Sequence, residues 1–141
     1  MPAVYDNNNI FAKIIRGDIP CHKVYEDSNT LAFMDVMPQA RGHVLVVPKC
    51  EAVELSDMSA ADLQTVFNTA QKVMQAQRQV LKRDGIIQMQ LNGSQAGQSV
   101  FHYHIHLIPA HIHELGLHEG EAASTQDLAE LAAQLRNAIA A

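Results

Sequence analysis

The run SVFHYHIHLIPAH, residues 99–111, places three histidines at every second position: His102, His104 and His106. Apolar residues alternate with them. Successive side chains of a β-strand point to opposite faces, so this spacing predicts one strand that carries a row of imidazoles above an apolar underside. Neighbouring rings would stand roughly 6.6 Å apart along the strand, close enough to converge on one small ligand.

Two kinds of chemistry use imidazoles in such a row. Zinc binding is one, but the outer two Cα atoms would lie roughly 13 Å apart, so a third ligand would come more naturally from elsewhere, with His43 as the candidate. Phosphoryl chemistry is the other, because neutral imidazole is a good nucleophile toward phosphorus and protonated imidazole is a compact cation for phosphate oxygens. The row alone leaves both interpretations open.

The loop that precedes the row favours phosphoryl chemistry. The segment NGSQAGQS, residues 92–99, offers flexible backbone N–H groups at Gly93 and Gly97, together with Gln98 and the Ser99 hydroxyl. Successive N–H groups and hydroxyls of this kind form anion-binding concavities. We therefore expect the loop and the histidines to bind one phosphate group.

The elements that must position these groups follow from hydrophobic periodicity and turn residues. A short helix is predicted in NNIFAKIIRGDIP, followed by strands in HKVYED, TLAFMDV and GHVLVVPK. The longest helix is predicted from about Ser59 to Arg83, with Gly85 as its stop. Two further strands, in IIQMQLN and VFHYHIHLIP, and a last helix from Ser124 complete the order.

Both long helices are predicted to be amphipathic. The apolar stripe of the first comprises Leu63, Val66, Phe67, Ala70, Val73, Met74, Val80 and Leu81. The stripe of the last comprises Leu128, Leu131, Leu135 and Ile139. Strands joined by short turns favour a mostly antiparallel sheet, so the predicted fold class is α+β.

Composition limits the classes of partner and location. The 141 residues, 48% of them apolar, predict one domain with a real core. The formal charge of −5 and the scattered Lys and Arg residues argue against nucleic acid as a partner. The N-terminus MPAVYDNNNIF lacks the pattern of a signal peptide, and no apolar run approaches the roughly 20 residues of a membrane span. Cys21 and Cys50 lack framework spacing, which favours reduced thiols in a cytoplasmic protein over a single disulfide.

Three longer blocks of sequence resemble one protein family. IFAKIIRGDIP, LAFMDVMPQARGHVLVVPK and NGSQAGQSVFHYHIH stand in the order in which histidine triad (HIT) proteins carry them. Over residues 8–110 the chain resembles this family, above all its Hint-like bacterial branch. The resemblance implies a five-stranded antiparallel sheet with a long helix packed on it, a short N-terminal helix, and a homodimer. We expect a single HIT domain over residues 1–141, with a core over about 8–110 and a tail helix over about 124–139.

The resemblance also implies roles for individual residues. His104 is similar to the family's nucleophile, which forms a covalent bond to a nucleotide, and His102 to the residue that organises the other histidines. His106 and His43 resemble imidazoles that contact phosphate, and Asp35 resembles the acid that accepts hydrogen bonds from ribose hydroxyls. The other implied nucleotide-binding residues are the phosphate loop, Asn92, Gly97, Gln98 and Ser99 (the last placed to assist the leaving group), and the apolar walls of a base pocket, Ile10, Phe11, Ile14, Phe33 and Val36.

The implied activity is hydrolysis or transfer at the α-phosphate of purine nucleoside monophosphate derivatives (phosphoramidates, esters or dinucleotides), with no cofactor. Two alternatives stay open: a nucleotide-binding interaction protein with residual catalysis, and a metal-dependent hydrolase that uses His43 with the row. Zinc-bearing relatives carry C-x-x-C in the first helix and a histidine after PK. Here those three positions read Asn9, Ala12 and Glu51, so no bound metal is expected.

Overall fold

The computed structural model describes residues 3–116 and 121–141. Its helices and strands follow the chain in the order α1 (Ile10–Arg16), β1 (Lys23–Glu26), β2 (Thr30–Met34), β3 (Val44–Pro48), α2 (Ala60–Leu81), β4 (Ile87–Met89), β5 (Ile105–Ile108) and α3 (Thr125–Ala140). The predicted order and the α+β class are confirmed. The expectation of one domain over residues 1–141 also covers residues 1–2 and 117–120, which lie outside the described part of the chain.

Within the described residues, five strands form one antiparallel sheet in the order β1-β2-β3-β5-β4. Strands β2 and β3, with the sequences TLAFM and VLVVP, are buried along their whole length. Continuous apolar runs are typical of strands covered on both faces. Strand β5 lies between β3 and β4, so that His106 stands opposite Leu45 on one side and Met89 on the other.

Two apolar layers cover the two faces of the sheet. The larger lies between the sheet and the helices α2 and α3, and it contains Tyr103, Ile105 and Leu107, the predicted underside of the histidine row. The smaller is built by the following residues, the first from α1 and the others from β2 and β3: Phe11, Leu31, Phe33, Leu45 and Val47. Because side chains alternate along β5, His106 emerges on the α1 side of the sheet, where the rings of His102 and His104 lie near Phe11 of α1.

Helix α2 begins as predicted but ends at Leu81, four residues before the predicted stop. The Ser59 side chain caps it by accepting a hydrogen bond from the Asp62 N–H at 3.1 Å. Lys82, not Gly85, takes the left-handed conformation at the end (φ 56°) and donates its N–H to the Arg78 carbonyl. The prediction of Gly85 as the stop is therefore wrong, because a lysine adopts the conformation that glycine would adopt more easily.

The predicted stripe of α2 is wrong at Phe67, whose side chain is 40% exposed. Two polar residues, Thr69 and Gln77, are buried on the helix instead. The Thr69 hydroxyl lies 2.7 Å from the Thr30 hydroxyl of β2, and the Gln77 amide binds backbone carbonyls of the sheet. Hydrophobic periodicity misses such residues because their hydrogen-bond partners come from other elements.

Gly42 marks the point where the chain enters β3 beneath the end of α2. Its φ of +88° favours glycine, and a Cβ atom there would lie 2.4 Å from Leu81 Cδ1. No side chain larger than hydrogen fits without a shift of Leu81. The glycine therefore fixes the backbone position of the next residue, His43.

Helix α3 packs against α2 and β1 through Leu128, Leu131 and Leu135, as the sequence predicts. Its cap is Ser124, whose side chain accepts a hydrogen bond from the Asp127 N–H. Cys21 and Cys50 are free thiols, so the alternative of a single disulfide is wrong. Among the described residues, no helix has the length and apolar character needed to cross a membrane.

Candidate active site

The histidine strand is shorter than its sequence pattern. Strand β5 begins at Ile105, so His106 lies in it whereas His102 and His104 precede it. The prediction of one strand that carries all three imidazoles is wrong. Two residues beyond the last pair of β3 and β5, the same register would place Pro48 opposite Tyr103, and proline has no N–H for the ladder.

His102 is anchored at both nitrogens of its ring. Its Nε2 lies 2.7 Å from the Pro48 carbonyl, and its Nδ1 lies 2.7 Å from the Tyr5 hydroxyl. A carbonyl only accepts, so Nε2 carries the proton and Nδ1 accepts from Tyr5. With 0% of its surface exposed, this ring is a structural part of the site.

His104 is held in the opposite tautomer. Its Nδ1 lies 2.6 Å from the His102 carbonyl, so Nδ1 carries the proton and Nε2 has a free lone pair. The ring is 8% exposed and contacts the edge of Phe11 at a centroid distance of 4.9 Å. The arrangement presents an unprotonated nitrogen at a buried position with limited access to water.

His43 and His106 form a directed pair. The Gln39 N–H donates to His43 Nδ1 at 3.1 Å, so the proton of His43 must lie on Nε2. That Nε2–H donates to His106 Nδ1 at 3.0 Å, which leaves the His106 proton on its own Nε2. The rings of His104 and His106 are 4.9 Å apart. One ring of this neighbouring pair therefore offers a lone pair and the other an N–H.

Burial keeps all four imidazoles uncharged. It lowers the pKa of His102 to about 4 and the pKa of His106 to about 3, in the latter case with further lowering by His104 and His43. Burial also lowers the pKa values of His43 and His104, against the opposing effect of the Asp35 carboxylate. At neutral pH the free site is therefore a set of neutral donors and acceptors, not a cationic one.

Asp35 lies beside this pair. One of its oxygens accepts a hydrogen bond from the Met37 N–H at 2.8 Å, and the other lies 3.5 Å from His43 Nε2. Asp35, His43 and His106 carry potential metal ligands within 4.8 Å of one another. A neutral His43 could not serve as one of them, because Nδ1 accepts from the Gln39 N–H and Nε2 carries the proton. The hydrogen bonds as they stand do not fit a metal centre at these residues.

The loop before the row is folded more tightly than the sequence suggests. The Gly93 N–H donates to the Gln98 side-chain carbonyl at 2.7 Å, and the Gly97 N–H donates to the Ser94 carbonyl at 3.0 Å. The expectation that these two glycines offer free N–H groups to an anion is wrong. The buried Gln98 amide also donates to the Val53 and Val100 carbonyls, so its side-chain donors are engaged within the protein.

Ser99 and Asn92 remain accessible at the two ends of this loop. The Ser99 residue is exposed, and its hydroxyl makes no hydrogen bond to any described residue. Asn92 is exposed as well, although its side-chain oxygen accepts hydrogen bonds from the Leu55 N–H and the Gln90 amide, each at 2.9 Å. The Ser99 hydroxyl is thus the freer of the two polar groups.

The apolar residues assigned to a base pocket divide into two groups. Phe11 and Phe33 are 7% and 3% exposed and pack edge to face at 5.5 Å, as part of the smaller core layer. Ile10 and Val36 are 47% and 53% exposed, and Ile14 is partly buried against the same layer. Surface available to a flat ligand therefore comes from Ile10 and Val36, with the phenylalanines behind it.

Comparison with known proteins assigns this arrangement to a family. Residues 16–113 match the HIT domain, which is more than half of the chain. The chain belongs to the HIT family. It is 43% identical over 102 residues to the protein named Protein hit of Bacillus subtilis strain 168, a match that covers 72% of this chain and 70% of that protein.

Two further HIT proteins extend the comparison. The adenosine 5'-monophosphoramidase hnt1 of Schizosaccharomyces pombe is 40% identical over 114 residues, which are 79% of this chain and 80% of the relative. The crystal structure of a Hit-like protein from Bartonella henselae, described as involved in cell-cycle regulation and as holding an unknown ligand, has a TM-score of 0.87 and 43% identity. That match covers 96% of this chain and 99% of the other.

This HIT chain does not fit the zinc site of its zinc-bearing relatives. Asn9 replaces the first cysteine and caps α1, because its side chain accepts a hydrogen bond from the Ala12 N–H at 2.9 Å. Both nitrogens of His102 are already bound, one to Tyr5 and one to Pro48. No nitrogen of that histidine is left for a metal.

Sequence reasoning missed three contributors to the HIT site. Tyr5 reaches His102 across 97 positions, Gln77 reaches the carbonyl before His43, and Gln39 acts through its backbone N–H. A buried glutamine inside an apolar helical stripe is the one local signal that the sequence contained. The other two contacts leave no trace in residue type or spacing.

Proposed function

We propose that this HIT protein is a nucleotidyl hydrolase or transferase that acts at the α-phosphate of purine nucleoside monophosphate derivatives, such as phosphoramidates, esters or dinucleotides. The reaction would pass through a covalent nucleotidyl-histidine on His104. The observation that carries the proposal is the hydrogen bond from His104 Nδ1 to the His102 carbonyl, because it leaves Nε2 unprotonated. The activity named for the S. pombe relative supports this substrate class.

In the first step, the lone pair of His104 Nε2 attacks phosphorus. The new P–N bond forms as the bond to the leaving group breaks, and the leaving group departs with its electron pair. It then needs a proton, and the free Ser99 hydroxyl is the group proposed to relay one from solvent. In the second step, water attacks phosphorus and gives up a proton to solvent through Ser99, the electron pair of the P–N bond returns to His104 Nε2, and the nucleotide is released.

His106 would donate a hydrogen bond to a non-bridging oxygen, and His43, whose Nε2–H donates to His106, would act through that ring. The His106 ring presents Nε2–H, because Nδ1 accepts from His43. Hydrogen-bond donors that are already oriented lower the barrier without reorganisation during the reaction. Asp35 would accept hydrogen bonds from the ribose, and Val36 and Ile10 would contact the base. Gln98 and Gly97 would support the loop through the internal hydrogen bonds described above, not through direct contact with phosphate.

The experiment is to stop turnover of an adenosine phosphoramidate by denaturation and to map the bound nucleotide by mass spectrometry. We expect an acid-labile adduct on His104. The His104→Ala variant should lose the adduct and nearly all turnover, while nucleotide binding should stay within about tenfold, or roughly 1.4 kcal/mol. The His113→Ala variant, which alters an exposed histidine, should behave as the wild type.

Other outcomes identify the alternatives. An adduct on His102 or His106, or good turnover by His104→Ala, would contradict the mechanism. Loss of turnover in EDTA, restored by zinc, would support a metal-dependent hydrolase instead; we expect full activity in EDTA. Tight nucleotide binding with very slow turnover on every adenylated and guanylated amine, ester and dinucleotide would support an interaction protein.

We also propose that the chain acts as a homodimer in the cytoplasm. The resemblance to HIT proteins implies the dimer. Strand β4 supports it, because it lies at the edge of the sheet and pairs with β5 on one side. Half-buried Ile87 and Met89 on this edge strand are suited to a partner surface. Light scattering after size exclusion should give twice the chain mass, and Gln88→Pro should give the monomer mass.

A further inference from the structure

We propose that Tyr5 is a positioning residue for His104: its hydroxyl orients the ring of His102, whose carbonyl in turn holds His104 in the tautomer that leaves Nε2 bare. This inference rests on the proposed function for its kinetic effect. Its structural content concerns the tautomers alone and can be measured without turnover.

The contact between Tyr5 and His102 is close and well oriented. The hydroxyl oxygen lies 2.7 Å from His102 Nδ1, and the two rings meet edge to face at 5.5 Å with an interplanar angle of 62°. Because the Pro48 carbonyl requires the proton on His102 Nε2, Nδ1 is an acceptor that needs a donor. Tyr5 supplies that donor.

His102 is buried completely, which makes this donor necessary. A buried acceptor without a partner is costly, and such groups are rare in native proteins. Without the hydroxyl, the ring can satisfy Nδ1 by exchanging tautomers, by taking up a proton or by turning. Tautomer exchange or a turn of the ring breaks or weakens the hydrogen bond to Pro48, whereas protonation keeps that bond but charges the buried ring.

The consequence reaches His104 through one peptide unit. The carbonyl of His102 accepts the hydrogen bond from His104 Nδ1 at 2.6 Å. The ring of His102 is fixed at Pro48 and Tyr5, so its backbone carbonyl is fixed as well. A His102 ring that has turned or exchanged tautomers would loosen the hydrogen bond that determines which nitrogen of His104 is free.

Tyr5 stays protonated and therefore remains a donor. Burial raises the pKa of its hydroxyl, with a smaller raising effect from Glu51, against the opposing hydrogen bond of Asn9. The residue precedes α1 and lies outside the segment 16–113 that matches the HIT domain. Its contact is thus supplied by a part of the chain that the family match does not cover.

The test is Tyr5→Phe, which removes only the hydroxyl. On a phosphoramidate substrate we expect kcat to fall about tenfold with KM within about twofold, the factor that one hydrogen bond of ordinary net strength supports. Nitrogen-15 NMR of the histidine rings should show His102 as the Nε2–H form and His104 as the Nδ1–H form in the wild type. In Tyr5→Phe, His102 should titrate at higher pH and His104 should show both tautomers.

Tyr25→Phe is the matched control, because the Tyr25 hydroxyl is also hydrogen bonded, to Asp27 and Lys72 at edge strand β1. It should leave kcat, KM and both tautomers unchanged. A second variant that lacks residues 1–5 should reproduce the effects of Tyr5→Phe. Unchanged ring spectra in Tyr5→Phe would overturn the proposal. Changed spectra in a protein without nucleotidyl transfer would instead contradict the proposed function and leave the positioning role standing.

Discussion

Polar side chains of the site divide into those that are engaged within the protein and those that remain free. Gln98 makes three internal hydrogen bonds and Asn92 accepts two, so these residues shape the loop. Among the described residues, the groups left free include His104 Nε2, the His106 Nε2–H and the Ser99 hydroxyl. This division suggests which substitutions should change the chemistry and which should change the loop.

Ser99→Ala should slow substrates with basic leaving groups more than substrates with acidic ones. A basic leaving group needs a proton in the transition state, whereas an acidic one departs as a stable anion. The measurement is kcat/KM across a series of adenylated amines and phenols for the wild type and the variant. Ser94→Ala, in the same loop, is the control and should lose little. An equal loss across the series would make Ser99 a phosphate ligand instead.

Asp35→Ala should weaken nucleotide binding by about 1.5–3 kcal/mol, the range of a hydrogen bond to a charged acceptor. The 2′-deoxy nucleotide should lose part of the same energy in the wild type and nothing further in the variant. Calorimetric titration with both nucleotides measures the difference. Asp35→Asn separates the roles, because the amide oxygen can still accept from the Met37 N–H. Equal binding of both sugars by the wild type would show that Asp35 does not contact the ribose.

At the scale of elements, Pro48 determines where the histidine strand begins. Its missing N–H ends the ladder between β3 and β5, and its carbonyl accepts from the His102 ring. The Tyr103 N–H, which would have faced it, donates to the Ala52 carbonyl instead. The site thus lies where a sheet ladder stops and side chains replace backbone groups.

Helix α2 supports this region through Gln77, which is completely buried. Its amide nitrogen donates to the Gly42 carbonyl at 2.9 Å and to the Leu107 carbonyl at 3.0 Å. These are the residues directly before His43 and directly after His106. The side-chain oxygen has no hydrogen-bond partner among the described residues, so this contact carries an internal cost.

Gln77→Met should lower the free energy of unfolding by about 1–2 kcal/mol, because two hydrogen bonds are lost while one unsatisfied oxygen is removed. Urea unfolding followed by circular dichroism measures the change. Gln79→Met, two residues along the same helix and exposed, is the control and should change stability by less than about 0.5 kcal/mol. A loss as small as that of Gln79→Met would mean that the Gly42 and Leu107 carbonyls find other donors.

The sequence predicts most of the elements but only part of the site. The helical periodicity of α3 depends on local geometry, so its apolar face was predicted correctly, whereas only His106 of the histidine row lies in the predicted strand. The contact of Tyr5 with His102 joins residues 97 positions apart, and the contact of Gln77 with Gly42 joins residues 35 apart. Such contacts depend on the packed fold, and no local pattern contains them.

At the scale of the whole molecule, the buried histidines make stability depend on pH. The pKa of His102 is lowered to about 4 and that of His106 to about 3, whereas the unfolded chain has the ordinary value of 6.5. Below pH 6.5 the unfolded state therefore binds more protons than the native state. The contribution of these two histidines to the free energy of unfolding is fully present above pH 6.5 and is lost as the pH falls toward 4.

From pH 7.5 to pH 5, His102 alone should remove about 2 kcal/mol from the free energy of unfolding, at about 1.4 kcal/mol for each pH unit below 6.5. Urea unfolding at a series of pH values measures the slope. His102→Asn should reduce the slope while the contribution of His106 remains, whereas His113→Ala, an exposed histidine, should leave the profile unchanged. A profile that is level between pH 7.5 and 5 in the wild type would contradict the burial argument.

Nucleotide binding should be coupled to proton uptake. The free site has neutral imidazoles, and the chain has a net charge of −5, so a phosphate dianion arrives without a fixed cation among the four histidines. The bound phosphate should raise a histidine pKa, and affinity for AMP should therefore increase as the pH falls from 8 to 6. Calorimetry in Tris and in MOPS should give different apparent enthalpies. Adenosine, which has no phosphate, should give none of this difference.

The hydrogen bond from the Gln39 N–H to His43 has a consequence for substitutions at position 39. This hydrogen bond determines which nitrogen of His43, and in turn which nitrogen of His106, carries the proton. The donor nevertheless belongs to the main chain. Nineteen amino acids supply the same N–H, and proline alone lacks it. As far as His43 is concerned, any residue except proline at position 39 should leave the tautomers of His43 and His106 unchanged. For this contact the site depends on the backbone of residue 39 and not on its side chain.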